Sequence, residues 1–460
     1  MPPAGESTHD ALERHAPHWR VFANAATVSV LTSLVKLAGA VKVAVTARFF
    51  GAGDALDAFL IAFVLPSFFA DLVAGCFTPS LIPAFIRAQA ASRRAANDLA
   101  GSSLAAAVAA LTAVAVMLAL TGPWLLPLLG SSFSLSKLEL TTRFFLGLLL
   151  WLPLGAAIAV WRAVLNANRK FALAAIAPLA TPLIIIALLF RGGAYSAPHW
   201  SANVLVAGTL AGIAVESAIL ALAVRSQGYS LLPRWRGWTP ELDAIRRQYV
   251  PLLGATAVTS ACVLVDQAVA GTLGPGSVSA LAFGTRLAAV MLAVCTAGVA
   301  TALLPEFSRL AANQQWSRLR RATVFDAGLI TLVSLPAAIL LAALSAPIAR
   351  LAFEGGAFDP STTRLVSDIQ RYSVLQIPFA VLFVMAGRLA SALSANALLA
   401  RTGAVALVCC IAADFTLARF LGVRGIALSS VLVQAVSLIV LTALLWRREP
   451  RLFSAARGAA

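Results

Sequence analysis

Long runs of apolar residues, separated by short segments of polar and charged residues, repeat along almost the whole chain. Most runs hold about 20 residues or more, which is the length that an α-helix needs to cross the hydrocarbon core of a bilayer. Prolines within the second and tenth runs predict kinks there. The pattern predicts twelve membrane-spanning helices, at about residues 22–49, 57–86, 98–121, 140–165, 170–190, 201–224, 246–272, 277–304, 322–345, 364–396, 400–420 and 425–446.

Two short motifs occur twice in the chain at almost the same distance. The first motif ends the second and eighth predicted helices, at residues 81–87 (LIPAFIR) and 303–309 (LLPEFSR), which are 222 positions apart. The second motif follows the first and seventh predicted helices, at residues 47–53 (ARFFGAG) and 270–276 (AGTLGPG), which are 223 positions apart. Six helices are an even number, so both halves enter the membrane in the same orientation, as in some transporters. The sequence predicts two parallel six-helix repeats around a central cavity, with the segments in this order: a tail (1–21), an N-terminal half (22–224), a linker (225–245), a C-terminal half (246–446) and a tail (447–460).

The composition excludes a soluble globular protein. Hydrophobic residues make up 60% of the 460 residues and charged residues only 12%. A soluble domain has about 45–50% apolar and about 25% charged residues. The predicted fold class is therefore an all-α polytopic membrane protein.

The net charge of +16 does not indicate a nucleic-acid partner, because the basic residues are scattered between apolar segments instead of gathering on one polar face. With both termini in the cytoplasm, the cytoplasmic loops and tails hold 22 Lys and Arg residues. The bias follows the positive-inside rule and predicts cytoplasmic termini. The opposite side holds eight: Arg48, Lys137, Arg143, Arg191, Arg350, Arg364, Arg419 and Arg424.

The sequence contains no residue arrangement typical of an enzyme or a metal centre. The five cysteines lie in apolar segments without C-x-x-C spacing, and three of the four histidines lie within the first 18 residues. A phosphate-binding loop of the form G-x4-G-K-[ST] is also absent. We therefore expect a transporter that is not an enzyme and holds no cofactor.

Basic residues inside a membrane are costly, so each is a candidate functional group. The first predicted helix carries Lys36, Lys42 and Arg48, with neighbours six positions apart. This spacing places neighbours about 9 Å apart along the axis and about 120° apart around it, so they share a face only if the helix bends, which Gly39 would permit. Arg286 of the eighth helix belongs to the other half and would face this helix across the cavity. The sequence predicts a cationic lining for an anionic head group; pairing with acids, and Arg48 reaching the membrane surface, are the alternatives.

Acidic residues within predicted helices provide a second set of candidates. Asp266 of the seventh helix and Asp414 of the eleventh belong to the same half and have no basic neighbours in sequence. They are predicted to hold Na⁺ or exchange a proton, with pairing to a distant arginine or hydroxyl as the alternative. Asp57 is predicted to cap its own helix. Asp368 is predicted to pair with Arg371, three positions later.

Several segments together resemble the MurJ/MviN family of lipid-linked oligosaccharide flippases, within the multidrug/oligosaccharidyl-lipid/polysaccharide exporter superfamily. The most specific is residues 47–59 (ARFFGAGDALDAF). The likeness extends over nearly the whole chain, through residues 63–66 (FVLP), 77–83 (FTPSLIP), 164–171 (VLNANRKF), 177–178 (AP), 304–305 (LP) and 353–358 (FEGGAF), and Arg286.

The resemblance implies a flippase of the bacterial cytoplasmic (inner) membrane that moves an undecaprenyl-diphosphate-linked glycan, such as lipid II, by alternating access. Its partners would be the lipid-linked oligosaccharide, membrane lipids and glycan-synthesis enzymes. The family pattern R-x2-G-x2-R falls on Lys36, Gly39 and Lys42, and the family arginine of the eighth helix falls on Arg286, so these three cations and Arg48 are the expected substrate-binding residues. The alternatives are a flippase for exopolysaccharide or capsule repeat units and a cation-coupled multidrug antiporter.

This sequence departs from the family pattern at three places. Ala70 stands where the family has an arginine in its second helix, and Gly75 replaces an acidic residue. The well-known lipid II flippases also have fourteen helices, two more than are predicted here. These departures bear on which glycan is carried and leave the expected fold unchanged.

Overall fold

The structure, a computed structural model, describes residues 18–192 and 198–450 and is helical almost throughout this part of the chain. Its α-helices are α1 (His18–Phe50), α2 (Asp54–Ala91), α3 (Arg93–Leu129), α4 (Leu135–Leu148), α5 (Trp151–Ala167), α6 (Phe171–Ile176), α7 (Ala180–Gly192), α8 (Pro198–Ser226), α9 (Pro240–Gly271), α10 (Ser277–Gly284), α11 (Arg286–Ala312), α12 (Trp316–Ala343), α13 (Ser345–Phe353), α14 (Pro360–Val374), α15 (Ile377–Ala392), α16 (Ala397–Leu421) and α17 (Val423–Arg448). A 3₁₀ turn, Ala177–Leu179, joins α6 to α7. The ends of the predicted tails, residues 1–17 and 451–460, lie outside the described residues.

The helices confirm the predicted fold class. Eleven helical segments in the described part of the chain are long and apolar enough to cross a membrane. The seventh predicted helix corresponds to α9, in which a shorter stretch, Thr256–Gly271, is apolar. The predicted total of twelve spans is reached when that stretch is counted together with the eleven.

Four of the predicted spans consist of two helical pieces. The pairs are α4 with α5, α6 with α7, α10 with α11, and α14 with α15. Pro178 lies in the 3₁₀ turn between α6 and α7, and Pro378 lies in the first turn of α15, where a missing backbone N–H costs little. The break at Thr285 makes Arg286 the first residue of α11 and so places this arginine at a helix end inside the bundle.

The linker between the predicted halves runs between the end of α8 and the start of α9 and is attached to α3. Arg234 N donates a hydrogen bond to Gly101 O at 3.2 Å, and Arg236 forms an ion pair with Asp98 at 3.2 Å. We call the end of the bundle that holds this segment the linker end. The structure extends α9 back to Pro240, so the linker is shorter than the predicted residues 225–245.

At the opposite end, the two glycine turns of the internal repeat meet, and we call it the Gly51 end. Gly51 and Gly276 have φ of +59° and +78°, a conformation that favours glycine. A Cβ added at Gly276 would lie 2.6 Å from Ala52 O, so the two turns approach too closely for a side chain there. Ala357 N, from the loop after α13, donates a hydrogen bond to Arg48 O at 2.8 Å. The two halves therefore contact each other closely at this end.

Candidate functional site

A cavity of about 520 Å³ lies between helices of the N-terminal half and the junction of α10 and α11, and we call it the central cavity. Apolar side chains form most of its wall. Three basic and two acidic residues line it, which leaves one net positive charge: Lys42, Arg162, Arg286, Asp71 and Glu216. A positively charged chamber within a membrane protein is suited to an anionic group.

Lys42 and Arg286 provide positive charge that is not neutralised by an ion pair. A Cβ added at Gly39 would lie 3.3 Å from Arg286 Nη2, so the guanidinium lies directly against the backbone of α1. Lys42 lines the same cavity as Arg286. Within the described residues neither forms an ion pair, and the buried Arg286 Nε has no hydrogen-bond partner. Like charges held together in this way favour an anion between them.

The other charges of the central cavity differ in whether they are paired. Arg162 Nη2 lies 2.6 Å from Glu216 Oε1, and Glu216 is largely buried. This pair neutralises itself across α5 and α8. Asp71 of α2 lines the same cavity and forms no ion pair within the described part of the chain. Ala70, where the family pattern has an arginine, also lines the cavity, so that departure removes a positive charge from this chamber.

The structure separates the four cations that the sequence grouped together. Lys42 and Arg286 line the central cavity, whereas Lys36 and Arg48 are exposed and are not among its lining residues. Arg48 lies in the last turn of α1, at the Gly51 end, and its backbone carbonyl accepts the hydrogen bond from Ala357.

The predicted acidic pair lies beside a second cavity, of about 410 Å³, within the C-terminal half, and we call it the Asp266 cavity. Oxygen atoms of Asp266 and Asp414 and the Cys410 Sγ all lie within 4.8 Å of one another. Asp414 is fully buried, and no hydrogen-bond partner reaches its Oδ1 among the described residues. Neither acid pairs with a lysine or arginine in the described part of the chain. Of the two alternative partners, a distant arginine and a hydroxyl, the described residues provide no arginine for either acid.

This donor set fits a hard cation or a shared proton. Carboxylate oxygens are the ligands that hard cations prefer, and two close carboxyl groups can hold one proton between them. The Cys410 Sγ lies 3.7 Å from Asp266 Oδ1 and 3.6 Å from Asp414 Oδ2. A thiol is a soft ligand and adds little to the binding of such an ion.

Asp57 connects the two halves, so the prediction that it caps its own helix is wrong. No side chain caps the start of α2. Asp57 instead accepts hydrogen bonds from Gly276 N at 2.7 Å, from Ser279 N at 2.8 Å and from Ser279 Oγ at 2.7 Å, at the start of α10. Lys137 Nζ pairs with Asp57 at 3.0 Å and with Asp54 at 2.6 Å. This buried carboxylate closes the Gly51 side of the bundle.

Sequence reasoning missed Lys137 and Arg162 because both lie near the ends of predicted spans. It counted them as loop charges on opposite sides of the membrane. Lys137 is 6% exposed in the structure, and Arg162 lies inside α5. A signal was available for Arg162, since it lies five residues before the end of its helix, deeper than a loop charge would.

Comparisons with known proteins bear on the family and the fold of the chain. A family model described as "Lipid II flippase MurJ" matches residues 46–458. The chain is similar to a probable lipid II flippase MurJ of Rhizobium tropici, with 27% identity over 92% of this chain and 80% of that protein. It is also similar to one of Rhizobium meliloti (strain 1021), with 30% identity over 78% of this chain and 68% of that protein.

Two solved structures have the same fold. One is lipid II flippase MurJ in an inward closed conformation, with a TM-score of 0.76 and 18% identity over 91% of this chain and 87% of that one. The other is an inward-facing multidrug resistance MATE family transporter of the MOP superfamily, with a TM-score of 0.73 and 15% identity over 92% of this chain and 98% of that one. At these identities the likeness concerns the fold alone.

Proposed function

Because the chain belongs to the lipid II flippase MurJ family, we propose that it is a flippase that moves lipid II, an undecaprenyl-diphosphate-linked glycan, from the cytoplasmic to the outer leaflet. This membership confirms the resemblance that residues 47–59 indicated. Flippases are transporters, and the chain is a multi-pass protein of the bacterial inner membrane. The observation that supports the proposal best is the pair of cations in the central cavity, Lys42 and Arg286, which form no ion pair within the described residues.

The electrostatic problem of flipping explains why such cations are needed. A diphosphate carries negative charge that is costly to move through hydrocarbon unless it is paired and hydrogen-bonded. A lysine ammonium and an arginine guanidinium supply charge-assisted hydrogen bonds to phosphate oxygens. We propose that the diphosphate binds between Lys42 and Arg286, with Lys36 attracting it from the middle of α1 and Arg48 from the last turn of that helix. The isoprenoid tail remains in the lipid.

The contacts at the Gly51 end support a transport cycle with alternating access. Asp57, held by Lys137, Gly276 and Ser279, closes the bundle on that side. Because the loops and tails of the linker end hold more basic residues, we propose that the linker end faces the cytoplasm, together with both termini. Release to the outer leaflet then requires the Asp57 contacts to separate, and the two forms must differ in their contacts with substrate.

Asp266 and Asp414 support a coupling role for a cation. We propose that Na⁺ or H⁺ binds these carboxylates and biases the equilibrium between the two forms. Asp414 is fully buried, Asp266 is half-buried, and neither has a basic partner among the described residues, so an ion or a proton would offset the charge that they leave uncompensated. The acids lie in the half opposite to most of the central cavity, so the effect would pass through the packing between halves.

The alternative substrates have less support. The family model and the relatives are named for lipid II, whereas the MATE transporter shares the fold alone. A cationic drug would be repelled by Lys42 and Arg286. Exopolysaccharide repeat units on the same diphosphate carrier would satisfy the same cations, so these require a direct test.

The test is transbilayer movement of fluorescent lipids in proteoliposomes that contain the full chain. We expect movement of lipid II, little movement of an undecaprenyl-diphosphate-linked exopolysaccharide unit, and no movement of a cationic dye. Preferential movement of the exopolysaccharide unit would reassign the substrate. Failure of every lipid-linked glycan to move, under gradients of Na⁺ and H⁺, would overturn the proposal.

A further inference from the structure

A third cavity, of about 450 Å³, lies at the Gly51 end of the C-terminal half, and we call it the arginine pocket. Four arginines and a single aspartate are the charged residues among those that line it: Arg350, Arg364, Arg371, Arg424 and Asp368. With all five charged, the pocket has a net charge of +3, from four positive charges and one negative charge. The central cavity has only +1.

Three separate helices bring these arginines together. Arg350 is in the last turn of α13, and Arg424 is in the first turn of α17. Arg364, Asp368 and Arg371 lie on one face of α14, because residues four and seven positions apart align on a helix. Arg364 and Arg371 are about 10 Å apart along the axis, so two long side chains can reach a group held between them.

The ion pairing in this pocket differs from the sequence prediction. Asp368 pairs with Arg424, at 2.8 Å, and not with Arg371, so the predicted i, i+3 pair is wrong. Arg350, Arg364 and Arg371 form no ion pair within the described residues. Three guanidinium groups therefore share one pocket without a counter-ion. All three arginines are exposed, and an anion bound between them would be attracted by each.

The placement is also contrary to the charge bias of the chain. The side away from the termini holds only eight basic residues by the sequence count, and Arg350, Arg364 and Arg424 are three of them. The fold gathers these three with Arg371 into one pocket, although the positive-inside rule disfavours basic residues on that side. Interfacial arginines that only reach for water would not need to converge from three helices.

We propose that the arginine pocket binds a phosphate-bearing anion at the Gly51 end of the protein. Planar guanidinium groups match phosphate oxygens in a bidentate manner, and three of them suit a group with more than one negative charge better than a single carboxylate. The source is either the phosphate of a lipid head group or a soluble phosphate. The site is separate from the central cavity, and the proposal does not depend on transport activity.

The test is calorimetric titration of the full chain in a neutral detergent with two probes. Inorganic pyrophosphate represents the soluble source, and dihexanoyl phosphatidic acid represents the lipid source, with dihexanoyl phosphatidylcholine as the uncharged reference. The titrations are repeated in the Lys42→Ala/Arg286→Ala background, which removes the unpaired cations of the central cavity. We expect binding to persist in that background.

The pocket variant is Arg364→Gln/Arg371→Gln, and its matched control is Arg191→Gln/Arg419→Gln. The control removes two exposed arginines from the last turns of α7 and α16, outside the pocket. We expect at least tenfold weaker binding in the pocket variant and unchanged binding in the control. If the pocket variant fails to fold, Arg350→Gln removes an exposed, unpaired arginine and should still weaken binding severalfold.

The two probes distinguish the sources. Tighter binding of phosphatidic acid than of pyrophosphate assigns the pocket to lipid head groups, and equal or tighter binding of pyrophosphate assigns it to a soluble anion; both results support the site. The proposal is overturned if neither probe binds, if binding disappears in the Lys42→Ala/Arg286→Ala background, or if the control loses as much affinity as the pocket variant.

Discussion

The central cavity and the Asp266 cavity lie in the two halves of one helical bundle and leave opposite charges without a partner. In the central cavity, Lys42 and Arg286 are the cations without ion pairs, and Asp71 is an acid that faces the same space. In the Asp266 cavity, Asp266 and Asp414 lie side by side with no cation paired to either among the described residues. The first is therefore suited to an anionic head group, and the second to a cation or a proton.

This difference shows that the short motifs shared by the two halves do not determine the chemistry of the cavities. The glycine and proline motifs occur in both halves, and each half contributes to a chamber between helices. A few side chains then decide whether the unpaired charge in each chamber is positive or negative. Each cavity is incomplete by itself, because its charges require a mobile partner. Substitutions that change one cavity and leave the other intact test this division directly.

The largest effect is expected from Lys42→Ala/Arg286→Ala. Each hydrogen bond to a charged group contributes about 1.5–3 kcal/mol, so losing both should slow flipping of lipid II by about 100-fold or more. The fold should be retained, because the substitutions also remove a repulsion. The measurement is transbilayer movement in proteoliposomes, with circular dichroism to check folding.

A matched control for this experiment is Arg87→Ala/Arg225→Ala, which removes two exposed cations at the linker end. It should flip lipid II at nearly the normal rate. Equal flipping by the control and the cavity variant would show that Lys42 and Arg286 do not hold the head group, and the central cavity would lose its assigned role.

The next largest effect is expected from Asp266→Asn/Asp414→Asn. Asparagine keeps the size of the side chain but cannot carry the charge that binds Na⁺ or releases H⁺. We expect about a tenfold lower flipping rate, from the loss of roughly 1.4 kcal/mol of bias between the two forms, and a rate that no longer responds to ion gradients. The assay is flipping with Na⁺ and pH gradients imposed separately.

The corresponding control is Asp326→Asn/Glu306→Gln, which neutralises two acids of the same half outside the Asp266 cavity. Its ion response should match that of the unmodified protein. If an ion response survives in Asp266→Asn/Asp414→Asn, the two acids have no coupling role. The contrast between an anion chamber and a cation chamber would then no longer hold.

A smaller effect, in the opposite direction, is expected from Asp71→Asn. This change removes an acid that faces the cations and the head group but forms no ion pair in the described part of the chain. In a wet cavity a like charge a few ångströms away costs about 0.5–1 kcal/mol, so the lipid concentration for half-maximal flipping should fall about threefold. An unchanged or higher concentration would mean that the diphosphate binds away from Asp71.

The smallest effect is expected from Cys410→Ser, which changes only the softness of one atom beside the acids. We expect flipping within about twofold of the normal rate, because the carboxylates remain. If Na⁺ is the coupling ion, the Na⁺ concentration for half-maximal flipping should fall, since a hydroxyl is the harder ligand. If H⁺ is the coupling ion, the response of flipping to Na⁺ should stay unchanged. A rate reduced as much as in Asp266→Asn/Asp414→Asn would contradict a minor role for Cys410.

The sequence by itself determined the class of protein, the spans and most of the candidate residues. A run of about 20 apolar residues can satisfy its backbone hydrogen-bonding groups in a bilayer only as a helix. The fold class therefore followed from hydropathy. The glycine and proline motifs predicted the repeat. The cost of charge in a membrane marked Lys42, Arg286, Asp266 and Asp414 as candidates before any contact was known.

Only the tertiary structure decided which of these side chains face a cavity and which groups meet. The sequence predicts the same substrate-binding role for Lys36 and Lys42, yet of these two only Lys42 lines the central cavity. Asp57 and Ser279 are 222 positions apart in the sequence and are joined by a hydrogen bond. Asp368 forms its ion pair with Arg424 and not with Arg371. In a soluble helix the apolar stripe would have shown the buried face. In a membrane, lipid and protein core are both apolar, so hydropathy does not fix how a helix is rotated, and close packing of the whole bundle decides it.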